Sequence, residues 1–389
     1  MVQLRKPALI AGFILTVFAS QAIWVTFSPV VTHVAEELGT SVEFVGYLAV
    51  TYPLFFLLLT MPSGILLDRN FKLWLIFGAA LTFLAGAGRL LNLSSYYWLL
   101  ICQLFGAVGQ PFLLNAFVPL ATRIDESRRA LLVSVFSLSM YLGTIFALIA
   151  GVELYRAGGL AFLSLPAALI STAGIALMLF SISTVPEISG VEVRASLASV
   201  LRRRDLWVIG ILLGLGVAAF DNLATWLQPA LRSVGLEGIA GDAVAVSIIA
   251  GLIGVAFIPD RISRMQARTR YMRTIIPVIA VLFIILTFSV SSILLFAFLA
   301  IAGFLMLPAY PIIMDWIGRF HEKAVHGSAA GFVGLVSRAI SVALMFLATS
   351  FIYSARAYFA FLTAVILLAM LFALMLPKDE ELEKRDLEV

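Results

Sequence analysis

The stretch Gly64-Ile-Leu-Leu-Asp68-Arg69-Asn-Phe-Lys72 separates two long apolar runs of this chain. A shortened copy, Asp260-Arg261-Ile-Ser-Arg264, follows 192 positions later, again between two apolar runs. Both copies have the order aspartate, arginine, two further residues and a basic residue. A charged loop that recurs at one fixed distance indicates an internal duplication. The sequence therefore predicts two repeats, each with a charged loop after its second apolar run.

The composition is that of a membrane protein. Of the 389 residues, 62% are hydrophobic and 12% are charged, whereas about 25% are charged in an ordinary soluble domain. Apolar runs of about 20 residues recur from end to end, and each could cross ~30 Å of hydrocarbon. This composition excludes a soluble enzyme, a nucleic-acid binder and a secreted disulfide scaffold. The single cysteine, Cys102, lies in an apolar run and excludes an intrachain disulfide.

Charges, Gly/Pro clusters and polar breaks divide the chain into about twelve predicted transmembrane helices. Arg5 and Lys6 precede the first apolar run as they would in a signal peptide, but this run continues to Val31, so we expect an uncleaved first helix. The predicted helices begin near Ala8, Glu43, Lys72, Tyr96, Arg129, Leu160, Leu206, Ala243, Tyr271, Ile293, Gly327 and Ala357.

The basic residues are distributed asymmetrically. Segments on the side of the amino terminus hold 21 of the 26 Lys and Arg residues. Cytoplasmic loops retain Lys and Arg, so we expect a multi-pass protein of the cytoplasmic (plasma) membrane with both termini in the cytoplasm. Arg338 falls inside the eleventh span, and the opposite loops hold Arg89, Arg156, Arg232 and Arg356.

The predicted fold is an all-α integral membrane protein with two pseudo-symmetric six-helix bundles. The longest polar connection lies near the middle of the chain and ends in three arginines. We predict an amino-terminal bundle over 1–185, a cytoplasmic linker over 186–205, a carboxy-terminal bundle over 206–377 and a cytoplasmic tail over 378–389.

The charged loop resembles the signature of the major facilitator superfamily, Gly-x-x-x-Asp-Arg-x-Gly-Arg/Lys, between helices two and three. Gly64, Asp68, Arg69 and Lys72 match, whereas Phe71 stands in place of the second glycine. The resemblance extends over the whole chain through the twelve spans and the duplicated loop. It implies an alternating-access transporter whose solute binds near the bilayer midplane.

The same resemblance implies a conformational latch. Asp68 would meet the amino-terminal end of helix eleven, around Gly327 and Ser328, where unpaired amides favour an anion. This contact would stabilise the outward-facing state, and Asp260 would make the corresponding contact at the start of helix five. The latch residues are Gly64, Asp68, Arg69, Lys72, Asp260, Arg261 and Arg264.

Within the superfamily the chain resembles the FLVCR-like carriers, which are associated with choline, ethanolamine and haem. The matching segments are Trp24-Val-Thr-Phe-Ser28, Gly109-Gln110-Pro-Phe-Leu-Leu-Asn115 and Gly327-Ser-Ala-Ala-Gly331. This likeness implies that Trp24 and Gln110 lie near the solute. Asp221 and Arg338 replace an aromatic residue and a glutamine of that family, so its substrates are not carried over.

Two charges are predicted deep inside spans. Asp221 lies ~22 Å and Arg338 ~17 Å from the cytoplasmic ends of helices seven and eleven. Similar depths suggest that they pair, since a lone charge in hydrocarbon costs several kcal/mol. Two interpretations stay open: a static pair that pins the two helices, or a coupling pair in which Asp221 carries a proton.

A repeat offset of 197 maps Asp221 onto Trp24 and Arg338 onto Tyr141, so we expect these positions to face one cavity. The Trp24 ring and Asp221 favour a cation, and Arg338 favours a carboxylate or phosphate. Together they predict a zwitterionic or polar amphipathic solute. The substrate-binding candidates are Trp24, Gln110, Tyr141, Asp221 and Arg338, with Asn115 and Asn222 in second rank.

The sequence therefore predicts a secondary active or facilitative transporter of a small organic solute that is cationic, zwitterionic or polar amphipathic. A proton-coupled exporter of amphipathic compounds and a non-transporting membrane receptor or sensor stay open as alternatives. The expected partners are the solute, membrane lipid and protons or another coupling ion, without nucleic acid, in a protein that functions as a monomer. We expect no cofactor and no metal, because His33, His321 and His326 lack metal-ligand spacing. Asp315 and Glu153 are expected to be solvated charges at the membrane interface.

Overall fold

The computed structural model describes residues 2–186, 202–320 and 326–377. The chain divides into two compact units, Met1–Glu192 and Val193–Val389. The described residues form helices joined by turns. Most of the predicted linker, 187–201, and the predicted tail, 378–389, lie outside the described residues.

The helices of the amino-terminal unit begin close to the predicted positions. Polar side chains cap several of them: the Ser41 hydroxyl accepts a hydrogen bond from the Phe44 amide, and the Asn70 side chain accepts one from the Leu73 amide. Such caps satisfy amides that have no partner within the helix. The helices are α1 (Val2–Val25), α2 (Val31–Leu38), α3 (Val42–Arg69), α4 (Phe71–Gly88), α5 (Tyr96–Asn115), α6 (Phe117–Ile124) and α7 (Arg129–Ser181).

The helix α7 contains two spans. Its 53 residues would extend ~80 Å at 1.5 Å per residue, far more than one bilayer crossing. Gly158 and Gly159 interrupt it with non-helical dihedral angles, and the φ of +59° at Gly159 favours glycine. Eleven helical stretches of the described residues are long and apolar enough to cross a membrane. Counting the two arms of α7 separately gives the predicted twelve.

The carboxy-terminal unit repeats this plan of long helices. Its fourth helix is followed by a short one, as the fourth span of the first unit is. Three helix pairs make the most extensive contacts within the unit: the first helix with the sixth, the second with the fourth and the third with the last. The helices are α8 (Arg204–Arg232), α9 (Ala240–Arg264), α10 (Arg268–Phe288), α11 (Ser292–Met306), α12 (Ala309–Phe320), α13 (His326–Ala348) and α14 (Ala355–Leu374).

Two glycines allow α13 to lie close against α8. A Cβ atom added at Gly210 would lie 3.0 Å from the Cβ of Val336, and one added at Gly214 would lie 3.0 Å from the Cβ of Ile340. Small residues permit such close approach between membrane helices. The contact brings the middle of α13, which carries Arg338, against the middle of α8.

Candidate functional site

The carboxy-terminal unit contains an ion pair deep within its helices. Asp221 lies ~26 Å along α8 from Arg204, and Arg338 lies ~18 Å along α13 from His326. The Nη1 atom of Arg338 donates to Oδ2 of Asp221 at 2.8 Å. The pair expected from the two depths is therefore present.

A serine completes the site. The Ser341 hydroxyl donates to the same Oδ2 atom of Asp221 at 2.6 Å. Ser341 follows Arg338 by three positions, so both side chains lie on one face of α13. Ser341 is not among the predicted site residues, although a serine three positions after an arginine in an apolar helix was the available signal.

The two charges differ in burial. The Asp221 side chain is 2% exposed, whereas the Arg338 side chain is 30% exposed. The carboxylate is thus enclosed and held by charge-assisted hydrogen bonds, which are stronger than neutral ones. Part of the Arg338 side chain remains accessible. This arrangement can present a positive, planar donor group to a solute while its counter-charge stays buried.

A polar stripe continues from Asp221 along α8. Asn222, Thr225 and Gln228 are all buried. The Asn222 amide donates to the Ala218 carbonyl of its own helix at 2.7 Å. Within the described part of the chain, the Oδ1 of Asn222 and the hydroxyl of Thr225 have no hydrogen-bond partner. The stripe therefore offers polar atoms beside the ion pair.

The predicted site residues of the amino-terminal unit lie on three different helices. Trp24 of α1 is 8% exposed, and its indole N–H donates to the Ala49 carbonyl of α3 at 3.0 Å. Gln110 of α5 is buried beside Pro111, and Tyr141 in the first arm of α7 is half-buried. The Trp24 indole is thus held in a fixed orientation.

Asn115 has an interhelical role. Its amide donates to the Thr60 carbonyl at 2.7 Å and to the Ser63 hydroxyl at 2.8 Å, which joins α5 to α3. Gly64 belongs to the same contact, because a Cβ atom there would lie 3.9 Å from the Asn115 amide nitrogen. Asn115 therefore stabilises the packing next to the charged loop.

The charged loop of the first unit departs from the superfamily signature at Phe71, and the structure gives that residue a contact. The guanidinium of Arg123, on α6, lies 4.2 Å from the centre of the Phe71 ring. Burial lowers the pKa of Arg123, and the nearby Asp68 carboxylate opposes that change. The loop is thus tied to α6 by a cation–π contact and by charge attraction. Asp68 and Arg69 are exposed, and Lys72 is half-buried.

The charged loop of the second unit holds its charges differently. Oδ1 of Asp260 accepts a hydrogen bond from Nε of Arg264 at 3.1 Å, and its Oδ2 forms an ion pair with Nη2 of Arg264 at 2.8 Å. Both side chains are more than two-thirds exposed, and they lie one turn apart on α9. Arg261 is exposed. The motif therefore forms a local surface ion pair.

Asp315, expected to be a solvated charge, has a buried partner. Its Oδ2 accepts hydrogen bonds from Nε of Arg268 at 2.7 Å and from the Ser263 hydroxyl at 2.8 Å. The Arg268 side chain is 3% exposed and that of Asp315 is 44% exposed. This network joins α9, α10 and α12, and Asp315 is exposed, as expected, while it also pairs with a buried arginine.

Arg89 lies in the connection after α4, where it was predicted, but it is buried and not exposed as loop charges usually are. It lies in a short 3-10 turn, Arg89–Leu91, directly after α4, and it is fully buried. Its guanidinium donates to the Ile23 carbonyl, to the Thr26 hydroxyl and to the side-chain oxygen of Gln103. No periodic pattern marks Arg89 as buried, because it follows an apolar helix and precedes a polar loop.

Solved structures show the same fold. A bacterial homologue of the human lysosomal transporter Spinster, in an inward-facing and unoccupied conformation, matches with a TM-score of 0.75 over 98% of both chains at 13% identity. A D-xylose–proton symporter matches with a TM-score of 0.71 over 96% of this chain and 98% of the other at 15% identity. At such low identity these likenesses establish the architecture alone.

Two relatives are found among curated sequences. An uncharacterised MFS-type transporter of Caenorhabditis elegans is 22% identical over 357 residues, covering 84% of this chain but 61% of the worm protein. An uncharacterised protein of Archaeoglobus fulgidus is 28% identical over 149 residues, covering 38% of this chain and 69% of that protein. Residues 13–346 match the family model of the Major Facilitator Superfamily. Since the described residues form the long apolar helices of this fold and the family match covers most of the chain, the chain belongs to the Major Facilitator Superfamily and is a membrane transporter, not an enzyme.

Proposed function

We propose that this transporter moves a small zwitterionic solute by alternating access and that the anionic group of the solute binds Arg338. The observation that carries the proposal is the partly exposed Arg338 side chain, which is bonded to the enclosed carboxylate of Asp221. Arginine is suited to carboxylate and phosphate groups, because its N–H donors form a planar fork.

Charge balance supports a zwitterion. The Asp221–Arg338 pair is neutral overall, and a neutral pair inside a membrane avoids most of the cost of a lone charge. A solute with one positive and one negative group adds no net charge to this site. A simple cation would be repelled by the positive charge of Arg338, and a simple anion would leave the site negative unless a proton entered with it.

The pair also suggests proton coupling. If the anionic group of the solute takes the place of Asp221 on Arg338, the carboxylate loses the Arg338 donor and keeps its hydrogen bond from the Ser341 hydroxyl. An enclosed carboxylate that loses its positive partner gains by taking up a proton, because the neutral acid tolerates burial. Solute binding and protonation of Asp221 would then accompany each other.

The amino-terminal unit supplies further proposed solute contacts. The FLVCR-like resemblance supports Trp24 and Gln110, and the repeat relation supports Tyr141. The indole of Trp24 is fixed by its bond to Ala49, which would give its ring a constant orientation toward a cationic group. Asn222 is a weaker candidate for solute binding, because its amide donates to the Ala218 carbonyl. Asn115 is weaker too, because its amide donates to the Thr60 carbonyl of α3.

Orientation and assembly complete the proposal. The asymmetry of Lys and Arg supports a place in the cytoplasmic membrane with both termini in the cytoplasm. We propose that the protein functions as a monomer in lipid, with the duplicated charged loops, Gly64 to Lys72 and Asp260 to Arg264, as its conformational latch.

Counterflow in proteoliposomes tests the proposal. Proteoliposomes with the purified protein would be loaded with an unlabelled betaine-like zwitterion, choline-like cation or carboxylate anion. Uptake of the same solute in labelled form, in exchange for the unlabelled solute inside, would then be measured. We expect exchange of a zwitterion, strong loss of exchange in Arg338→Gln and partial retention in Arg338→Lys. A ligand at about 100 times its Kd should also stabilise the folded protein by ~2.7 kcal/mol.

Arg156→Gln is the matched control, because Arg156 forms an exposed pair with Glu153 at 2.7 Å. This variant should exchange the solute like the wild type. Exchange of a cation that is unchanged in Arg338→Gln would contradict the proposed solute class. Binding without exchange for any solute would favour a receptor over a transporter.

A further inference from the structure

The first membrane helix is interrupted in a way that the proposed function does not use. The helix α1 ends at Val25, a 3-10 turn spans Ser28–Val30, and α2 continues from Val31. At the end of a helix the last carbonyl oxygens lack partners within the helix. Here the Ile23 oxygen accepts from Nη2 of Arg89 at 3.1 Å, and the Trp24 oxygen accepts from the Gln103 amide at 3.3 Å.

Neutral groups surround the Arg89 guanidinium. Its Nη1 donates to the Thr26 hydroxyl at 3.1 Å, and its Nη2 also donates to Oε1 of Gln103. The central guanidinium carbon, Cζ of Arg89, lies 4.9 Å from the centre of the Phe27 ring. In the described ranges of the chain, no carboxylate forms an ion pair with it.

Such a site holds a cation by dipoles instead of by an opposite charge. The carbonyl end of α1 carries partial negative charge, and the Phe27 ring attracts a cation through its face. Both features act on the buried Arg89. In transporters, the carbonyl ends of broken helices serve as cation sites.

We propose that Arg89 is a tethered cation, which fills the carbonyl-lined break of the first helix and thereby positions Trp24. Gln103 transmits the effect, because it bonds both to Arg89 and to the Trp24 carbonyl. Arg89 is accordingly a positioning residue. Its link to transport rests on the proposed role of Trp24, whereas its role as a bound cation stands on the contacts alone.

The cation site at the end of α1 should become vacant when the Arg89 side chain is removed. Removal of the Arg89 side chain would leave the Ile23 carbonyl, the Thr26 hydroxyl, the Gln103 oxygen and the Phe27 ring around a space of guanidinium shape. Free guanidinium should bind there. Ammonium-type cations have the same charge but lack the planar set of donors, so they should bind less well.

Cys102 provides a probe at this position. It is the single cysteine of the chain and is 1% exposed. A Cβ atom added at Gly88, directly before Arg89, would lie 3.2 Å from its sulfur. The rate at which a maleimide labels Cys102 in the otherwise unaltered protein therefore reports opening around Arg89.

The experiment compares maleimide labelling of wild type, Arg89→Ala, Arg89→Lys and the exposed control Arg156→Ala, with and without millimolar guanidinium or methylammonium. Loss of charge-assisted hydrogen bonds should raise the labelling rate of Arg89→Ala by about tenfold or more. Guanidinium should return that rate toward the wild-type value, methylammonium should not, and Arg156→Ala should label like wild type. Arg89→Lys should label at an intermediate rate.

Solute exchange separates this proposal from the proposed function. Arg89→Lys should raise the solute KM more than it lowers the maximal rate, since it displaces Trp24 without removing it. If guanidinium protects Cys102 in Arg89→Ala but Trp24→Phe exchanges solute normally, the cation site stands and the role of Trp24 in solute binding fails.

Two results would overturn the tethered cation: labelling of Arg89→Ala as slow as wild type, or fast labelling that guanidinium and methylammonium slow equally. If Arg89→Ala does not fold, Thr26→Val is the substitute, because it removes one oxygen of the site and keeps the size of the side chain. Its labelling rate should lie between wild type and Arg89→Lys, and a wild-type rate would count against the site.

Discussion

Arg338 and Ser341 donate to one and the same oxygen atom, Oδ2 of Asp221, at 2.8 and 2.6 Å. Because both donors come from one face of α13, a single carboxylate of α8 fixes the rotation of that helix as well as its distance. A change at Asp221 therefore affects two donors at once. The pair is part of the packing of this unit and, in our proposal, part of its chemistry.

Asp221→Asn should lower both stability and transport. The substitution leaves Arg338 without its negative partner and weakens the acceptor of Ser341, which we expect to cost about 1–3 kcal/mol since Arg338 is partly exposed. Thermal unfolding of the purified protein measures the loss. The double variant Asp221→Asn/Arg338→Gln should recover part of it, and a melting temperature equal to wild type in the single variant would show that the pair adds no stability.

Gly214→Ala should weaken the same ion pair from a distance. Its new Cβ would lie 3.0 Å from both the Ile340 Cβ and the Ser337 Cα, so α13 has to move away from α8. We expect a loss of about 1–2 kcal/mol and reduced solute exchange. Gly216→Ala is the control on the same helix, because its Cβ would make an ordinary 3.8 Å contact with Met306. Equal effects of the two substitutions would contradict the close-approach explanation.

Asp315→Asn and Asp260→Asn should differ sharply, although both remove the carboxylate of an arginine pair. Arg268, the partner of Asp315, is 3% exposed, whereas Arg264, the partner of Asp260, is 78% exposed. Leaving a buried arginine without its carboxylate should cost about 3–5 kcal/mol, and loss of the surface pair should cost less than ~1 kcal/mol. Chemical denaturation in detergent compares them, and similar losses would refute the burial argument.

Asp68→Asn tests the proposed latch. If the carboxylate stabilises the outward-facing state, its loss should shift the protein toward inward-facing conformers. Accessibility of single cysteines introduced on the extracellular side would then fall. Asp125→Asn is a suitable control, since Asp125 is another carboxylate near α6 that accepts a hydrogen bond from Ser127 at 2.6 Å. Unchanged accessibility in Asp68→Asn would show that this residue is no latch.

Much of the fold follows from the sequence because membrane helices are long, apolar and separated by charges. The predicted starts at Glu43, Tyr96 and Arg129 lie within one residue of the observed helices. The Asp221–Arg338 contact could also be anticipated, since two charges at similar depth gain far more from each other than from lipid. Ser341 was missed, because a serine in a span can equally bond to its own helix.

The other polar contacts depend on how helices rotate about their axes, which hydropathy does not specify. Arg89 was assigned to a loop, and its hydrogen bond to the Ile23 carbonyl near the end of α1 was not predicted. Arg268 was not among the predicted site residues, yet its side chain is buried and bonds to Asp315 and Ser263. Phe71 departs from the superfamily signature, and the sequence did not indicate its contact with Arg123, whose guanidinium lies over the Phe71 ring. Each case concerns a partner distant in sequence, so local patterns could not identify it.

The turn at Gly158 and Gly159 has a consequence for how the protein is made. Only two non-helical residues connect the two spans, so one span cannot enter the bilayer while the other stays outside it. The two arms of α7 therefore have to be inserted together, as a helical hairpin. A bulky residue at Gly159 would strain that turn, and its first effect would be on insertion by the translocation machinery during synthesis.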